Sequence, residues 1–169
     1  MKLLAGSAMI IALFCSAFGR AESAEPLPSE FLVGAGVLNV RQGRQRDQSM
    51  GVIEYRFPEL KWNVRPWAGF ARAERGTNFV SAGVLYTLEM SSGLKLSAGW
   101  APTFYDMSHG WDLGAKLNFY SFIEAGYGFK NGHVMSLRFG HLSNAGLGYR
   151  NPGTETVQLS FAVPFLRKK

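Results

Sequence analysis

The sequence predicts an all-β fold, namely an eight-stranded antiparallel outer-membrane β-barrel with a side-chain-filled interior. Three observations carry that expectation. The 169 residues include 20 glycines, 14% aromatic residues and only 18% charged residues, which suits one small β domain better than a helical one. Past the N-terminus no apolar run reaches the roughly 18 to 20 residues that a spanning helix needs. Several segments instead alternate apolar and polar residues with period two, the pattern of strands with one greasy face.

In chain order, the first element is not part of the barrel. Lys2 supplies a positive charge, Leu3 to Phe18 is apolar, and Gly19 and Ala21 are small residues at cleavage positions. Residues 1–21 therefore read as a secretory signal and residues 22–169 as the barrel domain. The single cysteine, Cys15, lies in the signal, so the mature chain is expected to have no thiol, disulfide or Cys-ligated metal. Leu13-Phe14 before it are too large for a lipoprotein site. Taking Lys2 and Arg20 from the 18 basic residues leaves 16 against 12 acidic ones, or +4. That charge is too mild and dispersed for nucleic acid.

Eight strands follow, at 31–41, 50–57, 65–75, 77–90, 94–104, 115–129, 133–144 and 154–165. Turns at Ser91-Ser92-Gly93 and Lys130-Asn131-Gly132 separate the fourth from the fifth and the sixth from the seventh. Short connections (58–63, 91–93, 130–132) fall at one end, and longer ones (42–49, 102–114, 144–153) at the other, as in outer-membrane barrels. The short link near Gly76 departs from that alternation. In the second strand Ile53, Tyr55 and Phe57 oppose Glu54 and Arg56; in the sixth Leu117, Phe119, Ile123, Tyr127 and Phe129 oppose Asn118 and Glu124. Glu54, Arg56, Arg72, Glu74, Glu124 and Arg138 are thus expected to meet inside a narrow barrel, where mutual pairing makes burial tolerable and plugs the interior. Trp62, Trp67, Trp100 and Trp111 read as interfacial anchors rather than site residues.

The last two strands break the apolar rule in an informative way. His141, Ser143 and Glu155 carry odd numbers, like Met135, Leu137, Phe139, Val157, Leu159, Phe161, Val163 and Phe165 around them. They therefore share the lipid-facing wall, where polar groups lose hydration unless something uses them. Side chains at i and i+2 face the same way about 6.5 to 7 Å apart, so His141 can act as base to the Ser143 hydroxyl. A hairpin pairing 143 near 153 brings Glu155 opposite His141, to hold its second ring nitrogen. The small residues after Ser143 let the Ala145 and Gly146 amides approach an oxyanion, with Asn144 and Asn151 as braces. Asn151-Pro152-Gly153 is also ordinary turn chemistry. His109 and His133 sit in a loop and a turn without partners. No G-x-S-x-G elbow, H-E-x-x-H or His/Asp cluster occurs, which argues against a soluble α/β-hydrolase and a metalloenzyme.

The run Phe139-Gly140-His141-Leu142-Ser143-Asn144-Ala145-Gly146-Leu147, then Asn151-Pro152-Gly153 and Glu155, resembles the signature of the lipid A 3-O-deacylase family (PagL type). The resemblance implies an eight-stranded outer-membrane barrel that hydrolyses the acyl ester at position 3 of lipid A. It further implies a Ser-His-Glu triad of Ser143, His141 and Glu155, no metal and no cofactor. The substrate would be lipid A or lipopolysaccharide in the outer leaflet, reached from the side. Arg167-Lys168-Lys169 after Phe165 depart from the common aromatic ending of such barrels. Arg41, Arg44 and Arg46 in the first loop read as solvated, with lipid A phosphates as the other partner open to them. Two other classes share these features in part: an outer-membrane phospholipase or acyltransferase, and a noncatalytic barrel for adhesion or membrane integrity. Oligomeric state is not legible.

Overall fold

The computed structural model describes residues 26–40 and 47–165. The expected signal, the three loop arginines and the basic tail lie outside those residues. Eight strands form one closed antiparallel barrel: β1 (Glu30–Leu38), β2 (Gln48–Arg56), β3 (Val64–Ala73), β4 (Asn78–Glu89), β5 (Leu94–Asp106), β6 (Leu117–Gly128), β7 (Val134–Ser143) and β8 (Thr154–Pro164). Each strand pairs with its neighbour in sequence, and β1 closes the ring on β8, with Glu30 opposite Pro164 and Leu38 opposite Thr156. Closure leaves no unpaired sheet edge, which is what allows a strand structure to sit in lipid.

The expected hairpin ends hold. Connections 57–63, 90–93 and 129–133 lie at one end; 39–47, 107–116 and 144–153 lie at the other. The β3–β4 link belongs to the long-loop end yet is a single 3-10 turn (Glu74–Gly76).

Alternation sorts the wall. Ile53, Val80, Ile123, Leu137, Phe139 and Leu159 are exposed on the outside. Inside, Arg138 bridges both carboxylates, bonding Glu54 (2.8 Å) and Glu124 (2.9 Å), while Arg56 also bonds Glu54 (2.7 Å) and Glu124 (2.8 Å). Arg65 bonds Glu30 at 3.0 Å. Trp67, Phe79, Tyr105, Tyr120 and Phe122 pack above these charges, and Leu38, Leu113 and Leu142 close the loop end. The Arg138 guanidinium lies 3.7 Å over the Phe122 ring. A gap of about 10 Å³ remains between Glu54, Trp67, Tyr120 and Arg138, about the space of one water.

Three expectations about single residues need correction. Arg72 and Glu74 do not join the interior network: both are exposed, and Arg65 and Glu30 take those places. In β3 the odd positions Arg65, Trp67, Ala71 and Ala73 point inward, so Arg72 points out and Glu74 lies in the turn. By the same parity Trp67 is a core residue, not an anchor at the membrane surface. Trp62 and Trp100 do stand exposed.

Candidate active site

His141 and Glu155 face each other across the β7–β8 ladder, with Leu142 opposite Thr154 one step nearer the loop. Their neighbours Leu142, Thr154 and Thr156 are fully buried, so by strand parity His141 and Ser143 lie on the outer wall with Glu155. The His141 side chain is 44% exposed and that of Glu155 10%, with Nδ1 and Oε1 3.5 Å apart. That spacing is longer than a tight charge-assisted hydrogen bond of roughly 2.7 to 2.9 Å. Catalytic contacts often tighten only when substrate is bound.

The opposite edge of the imidazole lies over Gly153. A Cβ built there would stand 2.8 Å from His141 Cε1 and 3.3 Å from Nε2, so only glycine leaves the ring this position. Gly153 also has a φ of 64°, in the left-handed region that glycine adopts without strain. Thus Nδ1 is turned to Glu155 and Nε2 towards the loop end of the strand, where Ser143 ends β7.

The loop after Ser143 is tied down by one side chain. Asn144, fully buried, donates from Nδ2 to the Leu113 carbonyl (2.6 Å) and the Arg150 carbonyl (2.7 Å). Its Oδ1 accepts from the Gly146 amide at 2.8 Å, and its own amide donates to Asn151 Oδ1 at 3.1 Å. Ala145 takes a φ of 52° in this turn. Trp111, which the sequence placed among the anchors, reaches the site instead: its Nε1 donates to the Gly153 carbonyl at 3.3 Å. Its position in a long loop hid that role, because the contact spans 42 residues.

Further out, Asp112 accepts from the Tyr149 hydroxyl and lies 3.4 Å from Arg150 Nη2. The Tyr149 hydroxyl, the Gly114 amide and Arg150 hold the Asp112 carboxyl below the usual carboxylate range. A cleft of about 260 Å³ opens beside this pair, lined by Tyr105, Asp112, Lys116 and Tyr149 among others. His109 and His133 stay apart, bonded locally to Ser108 and Asn131. Among the described residues no cluster of three His, Cys, Asp or Glu side chains is placed to hold a metal.

Comparison with known proteins narrows the reading. The lipid A deacylase PagL of Pseudomonas aeruginosa is 43% identical over 53 residues, a match that spans 31% of this chain and 31% of that protein. The crystal structure of the outer membrane enzyme PagL superposes with a TM-score of 0.64 at 24% identity, covering 80% of this chain and 99% of that one. Neisserial surface protein A superposes almost as well, with a TM-score of 0.62 at 11% identity over 84% of this chain and 100% of that one. A de novo designed transmembrane β-barrel also reaches 0.62 at 11% identity, over 84% and 98%. These superpositions share the fold alone, so the barrel itself does not choose an activity. The sequence does choose a family. The profile described as lipid A 3-O-deacylase (PagL) matches residues 53–164, well over half of the chain and including His141, Ser143 and Glu155, and the protein belongs to that family.

Proposed function

We propose that the protein is a lipid A 3-O-deacylase of the bacterial outer membrane and that Ser143, His141 and Glu155 form its catalytic triad. The observation that carries the proposal is the outward pairing of His141 with Glu155 at 3.5 Å, two residues before Ser143, on a wall whose exposed side chains are mostly apolar. Such groups are costly against lipid unless a reaction uses them.

In this reading Glu155 holds the proton on Nδ1, which leaves Nε2 free to take the Ser143 proton as Oγ attacks the ester carbonyl. The oxyanion of the tetrahedral intermediate meets a backbone amide of the following turn. Gly146 donates its amide to Asn144, so the donor is assigned to Ala145 rather than to both residues. Collapse breaks the bond to the sugar oxygen, which leaves with the proton from Nε2. Water, deprotonated by the same nitrogen, then hydrolyses the acyl-enzyme and releases the fatty acid. Ser143 ends β7 at the long-loop end, the outward end of such barrels, so the ester would lie in the outer leaflet. The cleft lined by Tyr105, Asp112, Lys116 and Tyr149 lies on the headgroup side and has room for part of a sugar. Residues 1–21 would direct the chain to the membrane as a cleaved signal.

The test is mass spectrometry of lipid A from cells expressing the protein. Loss of one hydroxyacyl chain is expected with the native chain and none with Ser143→Ala, which should still give a heat-modifiable barrel. Gain of an acyl chain would mark an acyltransferase, loss of phospholipid acyl chains a phospholipase, and no change a noncatalytic barrel.

A further inference from the structure

The outward row that contains His141 is polar across three adjacent strands. Trp100 pairs with Ser121, Ser121 with His141, and His141 with Glu155. The imidazole therefore has Glu155 on one flank and Ser121 on the other. Ser121 is half-buried and shares its face with Leu117, Phe119, Ile123 and Tyr127. Its hydroxyl makes no hydrogen bond to another side chain among the described residues. On a lipid-facing wall that hydroxyl loses water and gains nothing in return.

Two roles for it conflict with the geometry. It does not hold the imidazole, because Nδ1 faces Glu155 and the Nε2 edge lies over Gly153, both on the β8 side. It is not a second nucleophile, because the same orientation denies it a base. What remains is the wall itself. Phe119 pairs with Ser143, and Ser121 lies one outward row further from the loops. Below it come Ile123 and Phe139, which are apolar. Trp100 stacks on Phe119 with centroids 5.7 Å apart, so the small Ser121 side chain lies in the row between an aromatic pair and the imidazole.

An acyl chain leaving Ser143 for the bilayer interior passes Ser121 within its first few carbons. Outward rows are about 7 Å apart. A substituent roughly 4 Å below the carbonyl carbon, plus a hydrogen bond of about 2.8 Å, spans that step. We propose that Ser121 is a specificity-determining residue: its hydroxyl hydrogen-bonds to a hydroxyl on the third carbon of the acyl chain, so that 3-hydroxyacyl esters are preferred over unsubstituted ones. The proposal rests on the serine deacylase reading and adds to it the residue that recognises the acyl group removed.

The experiment uses the purified full chain in detergent with two lipid A substrates that differ only at position 3, 3-hydroxytetradecanoyl against tetradecanoyl. The native protein is expected to prefer the hydroxyacyl ester in kcat/KM by about three- to tenfold, the worth of one neutral hydrogen bond. Ser121→Ala should bring that ratio close to one by slowing the hydroxyacyl ester alone, and Ser121→Thr should keep most of the preference. An absent preference in the native protein, an unchanged ratio in Ser121→Ala, or an equal fall on both esters would each overturn the role of Ser121 while leaving the deacylase reading in place. Hydrolysis of neither ester by the native, heat-modifiable barrel would overturn the deacylase reading and Ser121 with it.

Discussion

Gly153 decides how close the imidazole can lie to the β8 backbone. An alanine there meets His141 Cε1 at 2.8 Å and also carries the cost of a φ of 64°. Because the His141 side chain is 44% exposed, the ring can swing out cheaply, and alignment suffers more than stability does. Gly153→Ala should lower deacylation by at least about tenfold while costing roughly 1 kcal/mol of stability. Gly132→Ala is the control, since its φ of 84° carries similar strain in a turn at the opposite end of the barrel, where the added carbon meets only Pro164 Cγ at 3.1 Å. Turnover beside thermal unfolding separates the two, and equal activity losses would reduce Gly153 to a turn residue. At this scale parity made much of the candidate site legible: His141, Ser143 and Glu155 stand out because polar residues interrupt an odd-numbered apolar series. Ser121 interrupts its own series in the same way, yet no neighbouring charge draws the eye to it. Arg72 was misplaced because alanines at 68, 71 and 73 and Gly69 mute the alternation in β3.

Between strands, the 107–116 and 144–153 loops behave as one element because Asn144 ties them together. Its amide serves the Leu113 and Arg150 carbonyls, and Trp111 adds a bond to Gly153 from the same loop. Asn144→Ala strips partners from both carbonyls and releases the Gly146 amide, at a cost of about 1 to 3 kcal/mol. The turn after Ser143 then loosens, so turnover should fall by more than tenfold even where the barrel remains folded. Limited proteolysis should show new cleavage within 107–116 and 144–153 and none in the strands. Retained activity with a loosened loop would detach the turn from the chemistry. Hairpin ends were legible from turn residues, whereas this linkage was not: local sequence carries no signal for a contact between an asparagine and a carbonyl 31 residues away.

For the barrel as a whole, the closed interior fixes what the exterior can do. Glu54 and Glu124 are buried against Arg56 and Arg138, and removing one arginine leaves carboxylates short of a partner. Arg138→Met should therefore destabilise the barrel by about 3 to 5 kcal/mol. Its Cα shares β7 with His141, but its side chain points the other way, so the kcat of the folded fraction should change little. Heat-modifiable migration against temperature, paired with turnover per folded molecule, checks both parts; a matching fall in kcat would mean that the plug shapes the site. Strand number, closure and the filled interior followed from length, turns and alternating charge. The residues that pair inside followed only where the alternation was clean.

As the proposed site, the outward row of Ser121, His141 and Glu155 would change what an encounter means for this protein. A pocket fills from solution and empties into it, but a reactive stretch of wall is wetted continuously by the film in which it floats. Its working concentration is a number of lipid molecules per unit area. Crowding, fluidity and packing of that film would then set the pace as directly as any side chain, and both products would drift away sideways without crossing water.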